Sequence, residues 1–259
     1  MLLKVENFSF AYPRKPVLRE IPLALAGGEV VAVLGPNGSG KSTLIRALIG
    51  HLRGTGVIRW NDRPIESISR RELSRLVAYL PQSPTHDPGQ TVGDVLRLGR
   101  LPYWGAFGIE SSRDSAVVAE VAAALELTDL IGVRIDEISG GQRQRVFIGR
   151  CLSQQPQALL LDEPATFLDL RHQVDLYKLL LHLARKRGIG VLMASHDLNM
   201  AALHADRLIL LCDGRKIAEG PPREVLQESL LQRVYGVRLR RVEVAGQVAV
   251  YPEVMSDER

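Results

Sequence analysis

The nine residues "GPNGSGKST", Gly35 to Thr43, leave this chain few ways to fold. An apolar run, "EVVAVL", leads into them and reads as a buried strand. "TLIRALIGHL" then sets Leu44, Ile45, Leu48, Ile49 and Leu52 on one helical face, with a stop near Gly54. Strand, glycine-rich loop and amphipathic helix in that order are the setting in which G-x-x-x-x-G-K-[ST] cradles phosphate. Gly35, Gly38 and Gly40 permit turns that aim backbone N–H groups inward as an anion nest, and Pro36, Asn37 and Ser39 complete the loop. The helix starting near Lys41 adds its positive N-terminal end. Lys41 brings an ammonium to the β- and γ-phosphates, the Ser42 hydroxyl ligates Mg²⁺, and Thr43 holds a further phosphate oxygen. The expected ligand is a nucleoside triphosphate with its magnesium ion.

The rest of the chain supplies the sheet around that loop. Residues 1–34 read as short strands separated by turns, and "GVIRWNDRPI" as a hairpin around Asn61-Asp62. "RLVAYLPQ" reads as a strand running into a loop that carries Pro81, Pro84 and Pro88. From about Thr91 to Cys151 the pattern turns helical, opening on the capping pair Thr91 and Asp94 and continuing through the alanine-rich "SSRDSAVVAEVAAALEL". Strand "ALLLDEP", a long helix closed by Gly188, strand "GVLMAS" and a short helix from Asp197 restore the alternation. A hairpin turning at Asp213-Gly214, a last helix after Pro221-Pro222 and a final strand pair, "VRLRRVEVAGQVAVYP", end it. Such alternation predicts an α/β fold, a mostly parallel sheet with helices on both faces and a helical insert between its early and late strands.

A catalytic carboxylate is expected at the end of "ALLLDEP", because ligands of a parallel sheet bind beyond the C-terminal ends of its strands. Asp162 there is placed to hold Mg²⁺ directly or through water, and Glu163 to polarise an attacking water. "DEISGGQRQRV", residues 136–146, offers neither base nor nucleophile. Ser139 and Gln142 have capping-box spacing, so one reading is simply a helix start.

"GPNGSGKST", "YLPQ", "ISGGQ", "LLLDEP", "FLDL" and "SHD" stand in the order and spacing of ATP-binding-cassette ATPases, and the resemblance covers residues 1–222. It implies a P-loop (RecA-like) core, an N-terminal antiparallel β subdomain and a helical subdomain inserted at about 91–150, with 223–259 as a C-terminal extension. ATP and Mg²⁺ are the implied cofactors. In that family the serine-glycine-glycine segment contacts the γ-phosphate of ATP held by a second cassette, a role that falls here on Ser139, Gly140 and Gly141, with Gln142 beside them. Ile138 stands where leucine is usual, a volume-conserving change. Tyr12 resembles the aromatic that stacks on adenine; the alternative is a tyrosine packed on a strand face. Gln82 resembles the residue that senses Mg²⁺ and the attacking water, or is an exposed loop glutamine. Leu168 and Asp169 resemble the loop crossing the dimer interface, while Asp169 alone also suits a helix N-cap. His196 resembles the histidine that touches the γ-phosphate.

A finer resemblance, over roughly 95–240, links "LGRLPYWGAFG", "RHQVDLYKLL", "SHDLNMAA", "AEGPPREVL" and "VYGV" to the ATPases of iron-chelate importers, with cobalamin and haem importers close by. It implies a homodimer formed on ATP, integral membrane permease subunits, an extracytoplasmic solute-binding protein as indirect partner, and a place on the cytoplasmic face of the plasma membrane. The composition agrees. No apolar run is long enough to span a bilayer, and Lys4 and Glu6 interrupt the stretch a signal peptide would need. Cys151 and Cys212 form no disulfide framework, as in a reducing compartment. A net charge of +4 is too mild to point to nucleic acid. An ATPase working on nucleic acid or ribosomes is the rival reading, but related ones carry two cassettes or a coiled-coil insert. A P-loop phosphotransferase would leave Ser139 and His196 without a task.

Overall fold

The computed structural model describes residues 1–13, 15–105, 108–166 and 168–253. Parts of "FAYPRKPVL", "LGRLPYWGAFG" and "FLDL", at Arg14, Ala106, Phe107 and Phe167, and the last six residues of the C-terminal extension lie outside that set. The chain runs β1 (Leu3–Tyr12), β2 (Lys15–Leu25), β3 (Val30–Leu34), α1 (Lys41–Leu48), β4 (Thr55–Trp60), β5 (Arg63–Pro64), α2 (Arg70–Leu76) and β6 (Val77–Leu80). Three helices follow, α3 (Val92–Leu98), α4 (Ser112–Ala124) and α5 (Gly140–Ser153). Then come β7 (Ala158–Asp162), α6 (Leu170–Arg187), β8 (Gly190–Ala194), α7 (Leu198–His204), β9 (Arg207–Cys212) and β10 (Arg215–Gly220). The chain closes with α8 (Pro222–Val225), α9 (Glu228–Tyr235), β11 (Leu239–Val244) and β12 (Gln247–Pro252).

The central sheet has the order β10-β9-β3-β8-β7-β6, parallel throughout except for β10. Every residue of β3, β7 and β8 is buried, as a strand covered on both faces requires. Alternation divides these residues between two cores. Val30, Ala32, Leu34, Leu159 and Leu161 face α5, α6 and α7; Val31, Val33, Leu160 and Leu192 face α1 and the antiparallel sheet β2-β1-β4-β5. Each valine or leucine among them contributes roughly 1.5–3 kcal/mol. Helices thus lie on both faces, as expected. On the second face α1 and Leu73 of α2 share the covering with a second sheet, which the alternation alone does not foretell.

Other differences have local causes. The first strands are long rather than short, because bulges between Val5 and Ala11 keep β1 paired with β2 through its bends. Helix α1 ends at Leu48, well before Gly54: Gly50 turns the chain at φ +73, and the Leu48 carbonyl accepts a 2.9 Å hydrogen bond from buried Trp60 Nε1. Arg75 and Leu76 belong to α2 and not to the strand that follows; Ser69 and Glu72 form its capping box. The helix read after Pro221-Pro222 is two, broken at buried Leu226.

The segment from α3 to α5 enters between β6 and β7, strands that pair directly, so it leaves the sheet unbroken. Thr91–Asp94, Ser111–Asp114 and Ser139–Gln142 are full capping boxes at its three helix starts. Arg100, 1% exposed, pairs with Asp114 at 2.8 Å and donates to the Ser153 carbonyl at 2.7 Å, fastening the α3–α4 turn to the end of α5.

Candidate nucleotide-binding site

The loop from Gly35 to Gly40 joins the end of β3 to the start of α1. Gly40, at φ +106, is the N-cap of α1 and offers no capping side chain, so no side chain occupies the first N–H groups of that helix. Lys41 is 6% exposed; its Nζ donates to the Gly35 carbonyl at 2.7 Å and to that of Pro36 at 3.2 Å. Burial pushes its pKa down, against the opposing pull of the Glu163 and Asp162 carboxylates. The Ser39 hydroxyl is buried without a hydrogen-bond partner among the described residues. A free helix end, a buried ammonium and an orphaned hydroxyl in one loop fit a phosphate chain.

Facing this loop are the C-terminal ends of β6, β7 and β8. The Ser42 hydroxyl donates to Asp162 Oδ1 at 2.9 Å. Burial raises the pKa of Asp162, and Glu163 adds to the rise, while Ser42, Arg46 and Lys41 oppose it. Ser42 and Asp162 are hard oxygen donors of the kind Mg²⁺ takes alongside substrate phosphates. Among the described residues no cluster of three or more His, Cys, Asp or Glu side chains offers a softer metal site. Glu163 sits at φ +50, a left-handed conformation that costs a non-glycine residue about 1–3 kcal/mol. Its backbone N–H donates to the Ala194 carbonyl at 3.1 Å. Its Oε2 accepts from Gln82 Nε2 at 2.9 Å and lies 3.5 Å from His196 Nδ1. The strained turn therefore holds the carboxylate at the meeting point of three strand ends.

Tyr12, Asn37, Gly38, Ser39, Gly40, Lys41, Ser42, Thr43, Gln82, Glu163 and His196 line a single cleft of about 1140 Å³. Gly35 and Pro36 lie against Lys41 in its floor, and Asp162 joins it through Ser42. Tyr12 is 41% exposed at the end of β1, its ring held edge-to-face on Phe10 at 4.9 Å. Lys15 and Arg19 of β2 also line the cleft, which the motifs do not foretell. The only trace of them in the sequence is two cations shortly after an aromatic. Asp213 and Gly214, read simply as a hairpin turn, reach it too, the Gly214 N–H donating to the Ser39 carbonyl at 3.2 Å.

Ser139, Gly140, Gly141, Gln142 and Asp169 do not line that cleft. Ser139 is the exposed N-cap of α5; Gln142 N donates to its hydroxyl at 3.3 Å, and Gln142 Oε1 accepts from its N–H at 3.0 Å. Gly140 is exposed and has nothing within 4 Å of where a Cβ would stand. Asp169 caps α6, accepting from His172 N at 2.9 Å.

A profile of the ABC transporter family matches residues 18–166, more than half of the chain. The chain belongs to the ABC transporter family. The hemin import ATP-binding protein HmuV of Streptomyces coelicolor is 43% identical over 225 residues, 85% of this chain and 78% of that protein. The ferric enterobactin transport ATP-binding protein FepC of Escherichia coli is 35% identical over 253 residues, 96% and 93% of the two chains. A metal-chelate-type ABC transporter in an inward-facing conformation matches with a TM-score of 0.85 and 27% identity, covering 98% of each chain. As an ABC transporter ATPase the chain binds and hydrolyses ATP in the service of transport, paired with a second cassette and with membrane permease subunits. None of its described helices is long and apolar enough to cross a membrane itself.

Proposed function

We propose that this ABC ATPase powers import of an iron chelate, haem or a related metal chelate from the cytoplasmic face of the plasma membrane, with a solute-binding protein delivering cargo to the permease on the far side. The cargo class is supported by the haem and ferric-enterobactin transport roles of the relatives and by the metal-chelate transporter that shares the fold. The chemistry is supported by one observation above all: Gln82, Glu163 and His196 converge beside the Lys41 loop.

In this reading Tyr12 stacks on adenine, and the backbone of residues 35–43 with Lys41 holds the phosphates. Ser42, Asp162 and Gln82 hold Mg²⁺, which when bound neutralises phosphate charge. Glu163 accepts a proton from the water that attacks the γ-phosphorus, Gln82 orients that carboxylate, and His196 donates to the γ-phosphate. Ser139, Gly140 and Gly141 of one copy close the ATP of the other, while Asp169 lies at the interface. Two copies then bind two ATP molecules face to face. Loss of the γ-phosphate removes the contacts that both copies share, and the pair opens.

Co-expression with a polytopic permease of the metal-chelate class tests the proposal. The expected result is co-purification, ATP turnover stimulated by the permease, and ATP-dependent accumulation of haem or a ferric chelate in proteoliposomes. Turnover that ignores the permease and rises with DNA or RNA would instead favour the nucleic-acid reading.

A further inference from the structure

The cleft and the Ser139 segment serve different ATP molecules if the face-to-face reading holds, and any coupling between them rests on that reading. A continuous set of contacts joins them inside one chain. Glu163 starts the loop that ends at Asp169, and Thr166 Oγ1 donates back to its carboxylate at 3.3 Å. Helix α5, whose first turn carries Ser139, grips this loop through Gln144 Nε2, which donates to the Pro164 carbonyl at 2.6 Å. Helix α6 grips it through Gln173 Nε2, which donates to the Leu168 carbonyl at 3.0 Å.

His172 closes the circuit. Its Nδ1 lies 2.8 Å from Asp169 Oδ1, and the opposite edge of its ring lies over Gly141. A Cβ added at Gly141 would stand 2.3 Å from His172 Cδ2 and 2.5 Å from Nε2. The side-chain direction at Gly141 thus points into its own chain, whereas at Gly140 it opens onto solvent. In the observed arrangement a methyl group at 141 would meet the histidine ring of the same polypeptide, whatever a partner demands. Beside this contact a pocket of about 360 Å³ opens between α5 and α6, lined by Gly141, Gln144, Leu168 and His172, so the ring has room to follow the loop.

We propose that His172 is a positioning residue that couples the two ATP sites of the pair. It ties the loop descending from Glu163, beside a chain's own ATP, to the Ser139 segment, which closes the partner's ATP. Packed side chains and hydrogen bonds of this kind carry coupling only if they shift together, and the ring is the piece that touches both loops.

Turnover measured against ATP concentration is expected to be sigmoidal in the parent protein, with a Hill coefficient clearly above one and at most about two, the number of shared sites. His172→Ala is expected to bring that coefficient to about one while leaving ATP binding by the isolated monomer unchanged. His172→Asn, whose amide can still donate to Asp169, keeps an intermediate value. Gly141→Ala retains every backbone N–H, yet its turnover falls by about tenfold, the scale of an overpacked contact. Gly141→Ala combined with His172→Ala recovers most of that loss, since the ring that met the new methyl group is gone. A hyperbolic parent curve, an unchanged coefficient in His172→Ala, or no recovery in the double variant overturns the proposal. Sizing separates the two layers. A protein that stays monomeric in ATP even as Glu163→Gln overturns the face-to-face reading and the coupling with it; a normal ATP dimer with an unchanged coefficient overturns the role of His172 alone.

Discussion

Glu163→Gln is expected to lower ATP turnover by about a hundredfold or more, the contribution of a positioned general base, and to leave a dimer that persists in ATP. The amide has nearly the shape of the carboxylate and can still meet Gln82 and His196, which lie 2.9 and 3.5 Å from Oε2. It cannot take a proton from water. ATP binding is retained because the phosphates rest on the Lys41 loop, and the γ-phosphate that joins the two copies is no longer removed. Sizing chromatography with ATP and magnesium should show a dimer for the variant, while the parent returns to monomer as ATP is spent. Loss of turnover with no dimer would mean that ATP does not join the copies.

Lys41→Ala acts one step earlier and should weaken nucleotide binding itself, by about thirtyfold or more. Its ammonium is buried in the floor of the loop and held there by the Gly35 and Pro36 carbonyls, a position that Lys15 and Arg19 of β2 do not occupy. Truncating one partner of a buried, hydrogen-bonded charge pair costs about 2–5 kcal/mol, or roughly thirty- to several-thousand-fold in affinity. Alanine is a better helix former than lysine, so α1 and its buried Leu44, Ile45 and Leu48 should remain intact. Titration with a fluorescent ATP analogue reads the affinity, and thermal unfolding without nucleotide checks the fold. Lys41→Arg should not rescue binding, because a planar guanidinium does not fit a nest shaped for a compact ammonium. Near-normal affinity in Lys41→Ala would move the phosphates elsewhere.

The two variants draw on parts of the fold that are unequally visible in the sequence. Residues 30–48 declare strand, loop and helix together, because each has its own period and only one order satisfies all three. The hairpins at Asn61-Asp62 and Asp213-Gly214 are equally plain, and all four turn residues have positive φ. Helix α2 is hidden because seven residues carry only Leu73 and Leu76 as apolar markers, too few to show a period. The end of α1 is misplaced by its sequence because its stop depends partly on Trp60, a partner on another strand. The same limit explains the candidate site. Motif order points to Gln82, Glu163 and His196, which the fold brings together. Lys15 and Arg19 enter the cleft only through the path of β2, and the fit of His172 against Gly141 is a contact between two helices that no local pattern encodes. Local periods reveal elements; side-chain meetings between distant elements need the folded chain.

The shared ATP is best tested directly, by determining the structure of the Glu163→Gln protein with ATP and magnesium. The expected result is a two-fold dimer in which each Ser139 hydroxyl lies within about 2.5–3.0 Å of a γ-phosphate oxygen on an ATP whose phosphates rest on the other copy's Lys41. A structure with ATP on Lys41 and Ser139 remote from every phosphate in every assembly would contradict the shared-nucleotide dimer.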